Sequence, residues 1–149
     1  MIMREILFRG KAVNREDGFN YRSNYKNGDW VYGLITKNYN EKYDLATEMT
    51  NERGISGIEV DYKTIGQFTG LSDENDVKIF EGDIVKYGNT LHEVVFCDFA
   101  DNAYFGIWFA DRGEIWAFSP SVAANRMTVV GNIHDNPELI EDGDDDEEP

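Results

Sequence analysis

One run in the middle of the chain constrains its fold more than any other: Gly66-Gln67-Phe68-Thr69-Gly70-Leu71-Ser72-Asp73-Glu74-Asn75-Asp76-Val77-Lys78-Ile79-Phe80-Glu81-Gly82-Asp83-Ile84-Val85. Glycines and acids punctuate apolar pairs so regularly that the segment reads as a strand, a tight turn and the start of a second strand. Asp73-Glu74-Asn75-Asp76 supplies the turn, because Asp and Asn bond their own backbone and tolerate positive φ. A calcium loop of the EF-hand type needs a central glycine and a later glutamate, and the spacing offers neither. Nor is this a phosphate loop, since no Lys-Ser/Thr pair and no helix start follow Gly66 and Gly70.

The flanking sequence continues in the same β idiom. Residues 4–13 alternate, with Ile6, Phe8 and Gly10 on one side and Glu5, Leu7, Arg9 and Lys11 on the other. Asp17-Gly18 and Asn27-Gly28 signal turns. Trp30 to Thr36 is β-branched and aromatic, a second strand. Tyr43 to Thr50 fits a helix or a third strand, and the surroundings favour the strand. Asn51 to Gly54 reads as loop; Ile58 to Tyr62 and Thr64 to Gly70 read as two further extended pieces. Beyond Gly82, Asp83–Tyr87 and His92–Phe99 flank Gly88-Asn89, and Tyr104–Phe109 and Glu114–Phe118 flank Asp111-Arg112-Gly113, two hairpin signals. Ser119 and Pro120 are placed to cap and open one helical turn before a last strand at Met127–Val130. Five short strands with that turn before the last resemble a small SH3-like barrel. The expected architecture is mostly β: two small packed β subdomains, residues 1–70 and 83–140, the second SH3-like, joined by a connecting turn at 71–82. A disordered acidic tail is expected at 141–149.

Charge narrows the partners. The 149 residues hold 14 bases and 29 acids, a net charge of −15, and seven of the acids lie in the last nine residues. The rest of the chain still carries −8 and repels phosphate, so direct nucleic-acid binding lacks its usual driving force. Arg4, Arg9, Lys11, Arg15, Arg22 and Lys26 gather near the N-terminus, where a solvated strand face and loop account for them. Cys97, the single cysteine, sits in an apolar run and reads as a small buried hydrophobe. The N-terminal residues lack a signal-peptide pattern and no run is long enough to span a membrane, so a cytoplasmic protein is expected.

Two strands are apolar on both sides. Val94 and Phe96 alternate with Val95, Cys97 and Phe99, and Phe105, Ile107 and Phe109 alternate with Tyr104 and Trp108. A sheet wetted on one face would show polar residues there. The second face therefore needs a cover: the other subdomain, another subunit or a ligand. Tyr104, Trp108 and Trp116 are the candidate interaction surface.

Three segments resemble the YopX family of phage and prophage proteins. The first is Arg4-Glu5-Ile6, Phe8-Arg9-Gly10-Lys11 and then Gly28-Asp29-Trp30-Val31-Tyr32-Gly33. The second is the central run. The third is Val129-Val130-Gly131-Asn132-Ile133-His134-Asp135-Asn136-Pro137-Glu138-Leu139. Together they frame residues 4 to 139. The link from Lys11 to Gly28 is longer than the family's short hairpin, and Asp76 stands where members commonly have glycine. The resemblance implies a mostly β protein with an SH3-like C-terminal part, encoded by a phage or an integrated element. It implies no catalytic residue, cofactor or metal site. The polar residues it marks, without roles, are Gln67, Thr69, Asp73, Glu81, Asp83, Asn132 and Asn136.

Three functions compete on these residues. The leading expectation is a non-enzymatic phage accessory protein, a protein-interaction or self-assembling β module that forms homo-oligomers or binds a protein partner. A nucleic-acid-related role would use the N-terminal basic residues, or the acids as a DNA mimic. A hydrolase would use Glu81 and Asp83, which point to the same side of an extended segment. The competing structural reading is that these acids bind nearby backbone N–H groups. His92 is expected at a surface or edge, and His134 in a turn with too few companions to hold a metal.

Overall fold

The computed structural model describes residues 5–13, 25–38, 47–98 and 103–141. The Asp17-Gly18 turn, Phe99, the basic residues Arg4, Arg15 and Arg22, and the acidic residues 142–149 lie outside them. The protein is mostly β, with two sheets and two short helices among the described residues. Its chain divides into two compact units, residues 1–68 and 69–149.

The first unit holds β1 (Phe8–Ala12), β2 (Trp30–Lys37), β3 (Thr47–Asn51) and most of β4 (Ile58–Ser72). Neighbours pair in chain order, and β1 pairs with both β2 and β4, so the ladder returns to its start. Ala12, Val31, Met49, Ile58 and Val60 form the core. The two extended pieces expected over 58–70 are one strand. Its register against β1 jumps from Asp61 opposite Lys11 to Gly66 opposite Arg9. Thr64 holds the bulge that results: its hydroxyl accepts from Lys11 N at 2.8 Å and donates to Asp61 O at 2.7 Å. A bulge of this kind ends one stretch of pairing and re-aims the next.

Arg9 corrects the expectation of a solvated basic strand. It is only 6% exposed, with its guanidinium 4.6 Å from the centre of the Trp30 ring, and Lys11 Nζ lies 5.3 Å from the same ring. Stacking on an indole lets a cation leave water at lower cost. These charges thus serve the fold of the first unit.

The second unit begins with the end of β4 and β5 (Lys78–Phe80), which pairs with β4. It continues through β6 (Asp83–Tyr87), β7 (Thr90–Cys97), β8 (Tyr104–Phe109), β9 (Glu114–Ala117), α1 (Pro120–Arg126), β10 (Met127–Asn132) and α2 (Glu138–Glu141). The strand order is β10-β6-β7-β8-β9. Gly88-Asn89 is the two-residue turn between Tyr87 and Thr90. Ser119 caps α1, its hydroxyl accepting from Val122 N at 3.2 Å, with Pro120 at the first helical position. Ile79, Val85, Val94, Ile107, Ala123 and Met127 make the core.

His92 is buried, not at an edge. β7 is the central strand of this sheet, and His92 lies on its core side beside Val94. The imidazole stacks on Phe109 with ring centres 4.2 Å apart, its Nδ1 lies 3.0 Å from the Trp108 carbonyl, and its Nε2 lies 2.7 Å from the Thr90 hydroxyl. A carbonyl only accepts, so Nδ1 carries a proton.

Candidate functional site

The polar residues of the central and C-terminal motifs are taken up by the backbone. Asp73 is 3% exposed; its Oδ1 accepts from Asn75 N and Val77 N at 2.8 and 2.9 Å, and its Oδ2 from Val129 N at 2.8 Å. Asp76 then adopts a positive φ of 63°, as a turn residue of its type can. The Thr69 hydroxyl donates to Ile79 O and accepts from Leu71 N. Asn132 Oδ1 accepts from His134 N and Asp135 N, while Asn136 Oδ1 accepts from Asn132 N. Gln67 stands opposite Phe8 in the β1–β4 ladder.

Glu81 and Asp83 do not lie in one extended segment. Glu81-Gly82 is a turn, with Gly82 at φ 92°, and Asp83 points inward at 2% exposure, accepting from Phe80 N at 2.7 Å. Among the described residues, no three His, Cys, Asp or Glu side chains gather as metal ligands.

What faces outward is the β7–β8–β9 part of the sheet, and it separates the three aromatics of the candidate surface. Ile107 pairs with Trp116, and Trp108 with Ile115. Residues opposite each other share a face and successive residues alternate. Trp116 therefore lies on the core side, 44% exposed, stacked on Phe109 at 4.7 Å, with the Arg112 guanidinium 5.2 Å from its ring centre and its Nε1–H donating to Glu114. Phe96, 42% exposed, pairs edge-on with Phe105 on that same side.

Tyr104 and Trp108 share the opposite face. Gly106 lies between them, and a Cβ there would come within 2.7 Å of Ile115 Cγ2, so the isoleucine folds over the glycine. Tyr104, Ile115 and Trp108 thus form one apolar strip. Tyr104 is opposite Cys97, and a hydrogen bond with that thiol, followed by burial and the thiol's charge, raises the phenol above its ordinary value. Cys97 is buried and free, as a small hydrophobe. Part of the second-face cover comes from within the unit, since α2 lies against β7.

One residue of this face was not singled out by its sequence. Glu93 pairs with Ile84, and the β7–β8 register, whose last pair is Val94 with Ile107, carries Glu93 toward Trp108 when extended by one step. The His92–Phe109 stack keeps that step. A cross-strand row of Ile84, Glu93, Trp108 and Ile115 results. Burial, and after it the charge of Glu81, raises the Glu93 carboxyl above its ordinary 4.5. The available signal was one acid inside the apolar strand Leu91 to Cys97; only the register tells which indole it meets.

The sign of this shift makes a prediction. A carboxyl raised in the folded state adds stability below its unfolded value, and loses that contribution as pH rises through the folded value. Ionised Glu93 therefore costs stability at neutral pH. We expect E93Q to melt above wild type at pH 7, by less than about 1 kcal/mol because solvent screens a half-buried group. The gain disappears once both states are protonated in acid. Melting curves across pH test this, and a variant that melts below wild type at pH 7 would refute it.

Strand order, motif turns and outward aromatics define a class: a small two-unit β protein whose signature residues cap backbone and leave an apolar sheet face exposed. The chain belongs to the YopX family, whose model, described as YopX protein, matches residues 16–141. It is similar to the crystal structure of protein EF1440 from Enterococcus faecalis, with 26% identity and a TM-score of 0.52 over 93% of this chain and 100% of that one. No curated protein matches it. Among the described residues, no helix is long and apolar enough to cross a membrane.

Proposed function

We propose that this chain is a phage or prophage accessory protein that works through protein contacts rather than catalysis. One observation carries the reading: Thr69, Asp73, Asp83, Asn132 and Asn136 spend their polar atoms on backbone groups, while large apolar side chains of β7–β9 face outward. A catalytic site needs convergent polar groups open to substrate, whereas exposed aromatic strips mark protein contacts.

In this reading residues 83–140 form an SH3-like barrel after the connecting segment at residues 71–82, the acidic tail beyond α2 is disordered, and the protein works in the cytoplasm of a bacterial host as an oligomer or on a partner. Affinity capture from host lysate, with the full chain and a version ending at Ile140, tests it. Enrichment of one host or phage protein, or a stable homo-oligomer by sedimentation, is the expected result. A monomer that captures nothing would refute the reading.

A further inference from the structure

We propose that the Glu93–Trp108–Ile115 row is a docking site for a basic segment of a partner protein, with a Lys or Arg side chain seated between the Glu93 carboxylate and the Trp108 ring. The inference rests on the protein-contact reading and names the chemistry of the partner.

Charge complementarity chooses the occupant. Residues 1–68 hold ten basic and ten acidic side chains, whereas residues 69–149 hold four basic and nineteen acidic, so the whole net charge of −15 belongs to the second unit. Twelve of those acids precede residue 141. A second copy docking through its own second unit would bring the same negative charge to this face and be repelled. A basic segment would be drawn to it, and salt would weaken the attraction.

Local geometry fixes the place within that unit. Trp108 is 37% exposed, and the β7–β8 register, carried one step past its last pair of Val94 and Ile107, sets it across from Glu93, on the same face of the sheet. An indole face attracts a cation most strongly when both are partly out of water. The bond from His92 Nδ1 to the Trp108 carbonyl holds the backbone beneath that ring. Ile115 and Tyr104 continue the strip and offer apolar area to the stem of a Lys or Arg, or to its neighbours. The raised Glu93 carboxyl fits the same account: burial and Glu81 both disfavour its charge, and an incoming cation offsets that cost by pairing with it. Trp116 already lies beside a cation of its own chain, Arg112, so it is the weaker candidate.

The test is an NMR titration of the full chain with an alternating arginine–leucine pentapeptide, blocked at both ends, at low salt. The expected result is a progressive shift of the Trp108 indole N–H and the Glu93 amide, with the Trp30 and Trp116 indoles still. E93Q, which is expected to fold at least as well as wild type, and W108A each weaken binding by roughly tenfold, and an alternating glutamate–leucine peptide gives no shift. Shifts confined to residues 141–149, equal affinity of E93Q and W108A with wild type, or no shift at all would overturn the proposal. Host capture separates the two readings. A partner captured by wild type and lost with E93Q supports this site; one retained by E93Q and W108A overturns the site and leaves the protein-contact reading standing.

Discussion

Asp73→Ala is expected to lower the stability of the second unit by about 3–5 kcal/mol, a large part of what a domain has. The buried carboxylate accepts three backbone N–H groups, two from its own exposed loop and one from Val129 in β10. Its own N–H donates to Val77 O, and Glu74 N donates to Met127 O beside it. Thr128 hydrogen-bonds Glu74 across the same junction. Alanine leaves three partly buried donors without their acceptor, and each charge-assisted bond contributes roughly 1.5–3 kcal/mol, less where water can replace it and not additively. Asp73→Asn keeps the size and one acceptor oxygen but turns an NH2 toward donors. The expected order in urea unfolding is wild type above D73N above D73A, with Val77 and Val129 amides exchanging first. D73A within about 0.5 kcal/mol of wild type, the ordinary range for an exposed position, would refute the account.

Local chemistry made much of this fold legible. Gly88-Asn89 and Asp111-Arg112-Gly113 mark turns whose residues take φ values few others tolerate, and Gly88 and Gly113 are at 63° and 65°. Ser119-Pro120 marks a cap because a hydroxyl and a missing N–H suit only that end of a helix. The family motif also declares its turn, since Asp73 bonds the residues two and four beyond it. Long-range pairing was less legible. The β4 bulge depends on Lys11 meeting Thr64, 53 residues away, so two strands were expected where one exists. His92 looks like an edge residue beside Glu93 until β7 is known to lie between β6 and β8. For the candidate site, composition identified the aromatics, but alternation within one strand cannot say which side a neighbouring strand presents. Trp108 and Trp116 are separated by the β8–β9 register, and the β7–β8 register carries Glu93 toward the row.

The other large effect is expected at Gly33, where room rather than backbone conformation requires glycine. Gly33 lies in β2, opposite Phe8 of β1 and Asn51 of β3. A Cβ there would be 1.9 Å from the Thr50 carbonyl oxygen, 2.8 Å from Asn51 Cα and 2.9 Å from the Thr50 carbonyl carbon. All three atoms are backbone, so no side-chain rotamer relieves the clash, and β3 must move away from β2. That motion strains Glu52 N to Tyr32 O at 3.1 Å and the Asn51 turn, whose Oδ1 accepts from Arg53 N and Ile55 N. Overpacking a core with an added methyl costs about 1–3 kcal/mol when side chains can yield. Here backbone must yield, and Gly33→Ala should exceed the top of that range. Gly54→Ala is the matched comparison: φ is 84° there, with open space around the added Cβ. Only left-handed strain applies at that position, about 1–2 kcal/mol. Urea midpoints should therefore fall in the order wild type, G54A, G33A, with β2 and β3 amides losing protection in G33A alone. Equal midpoints for the two variants would show that β2 and β3 are not packed as closely as this ladder requires.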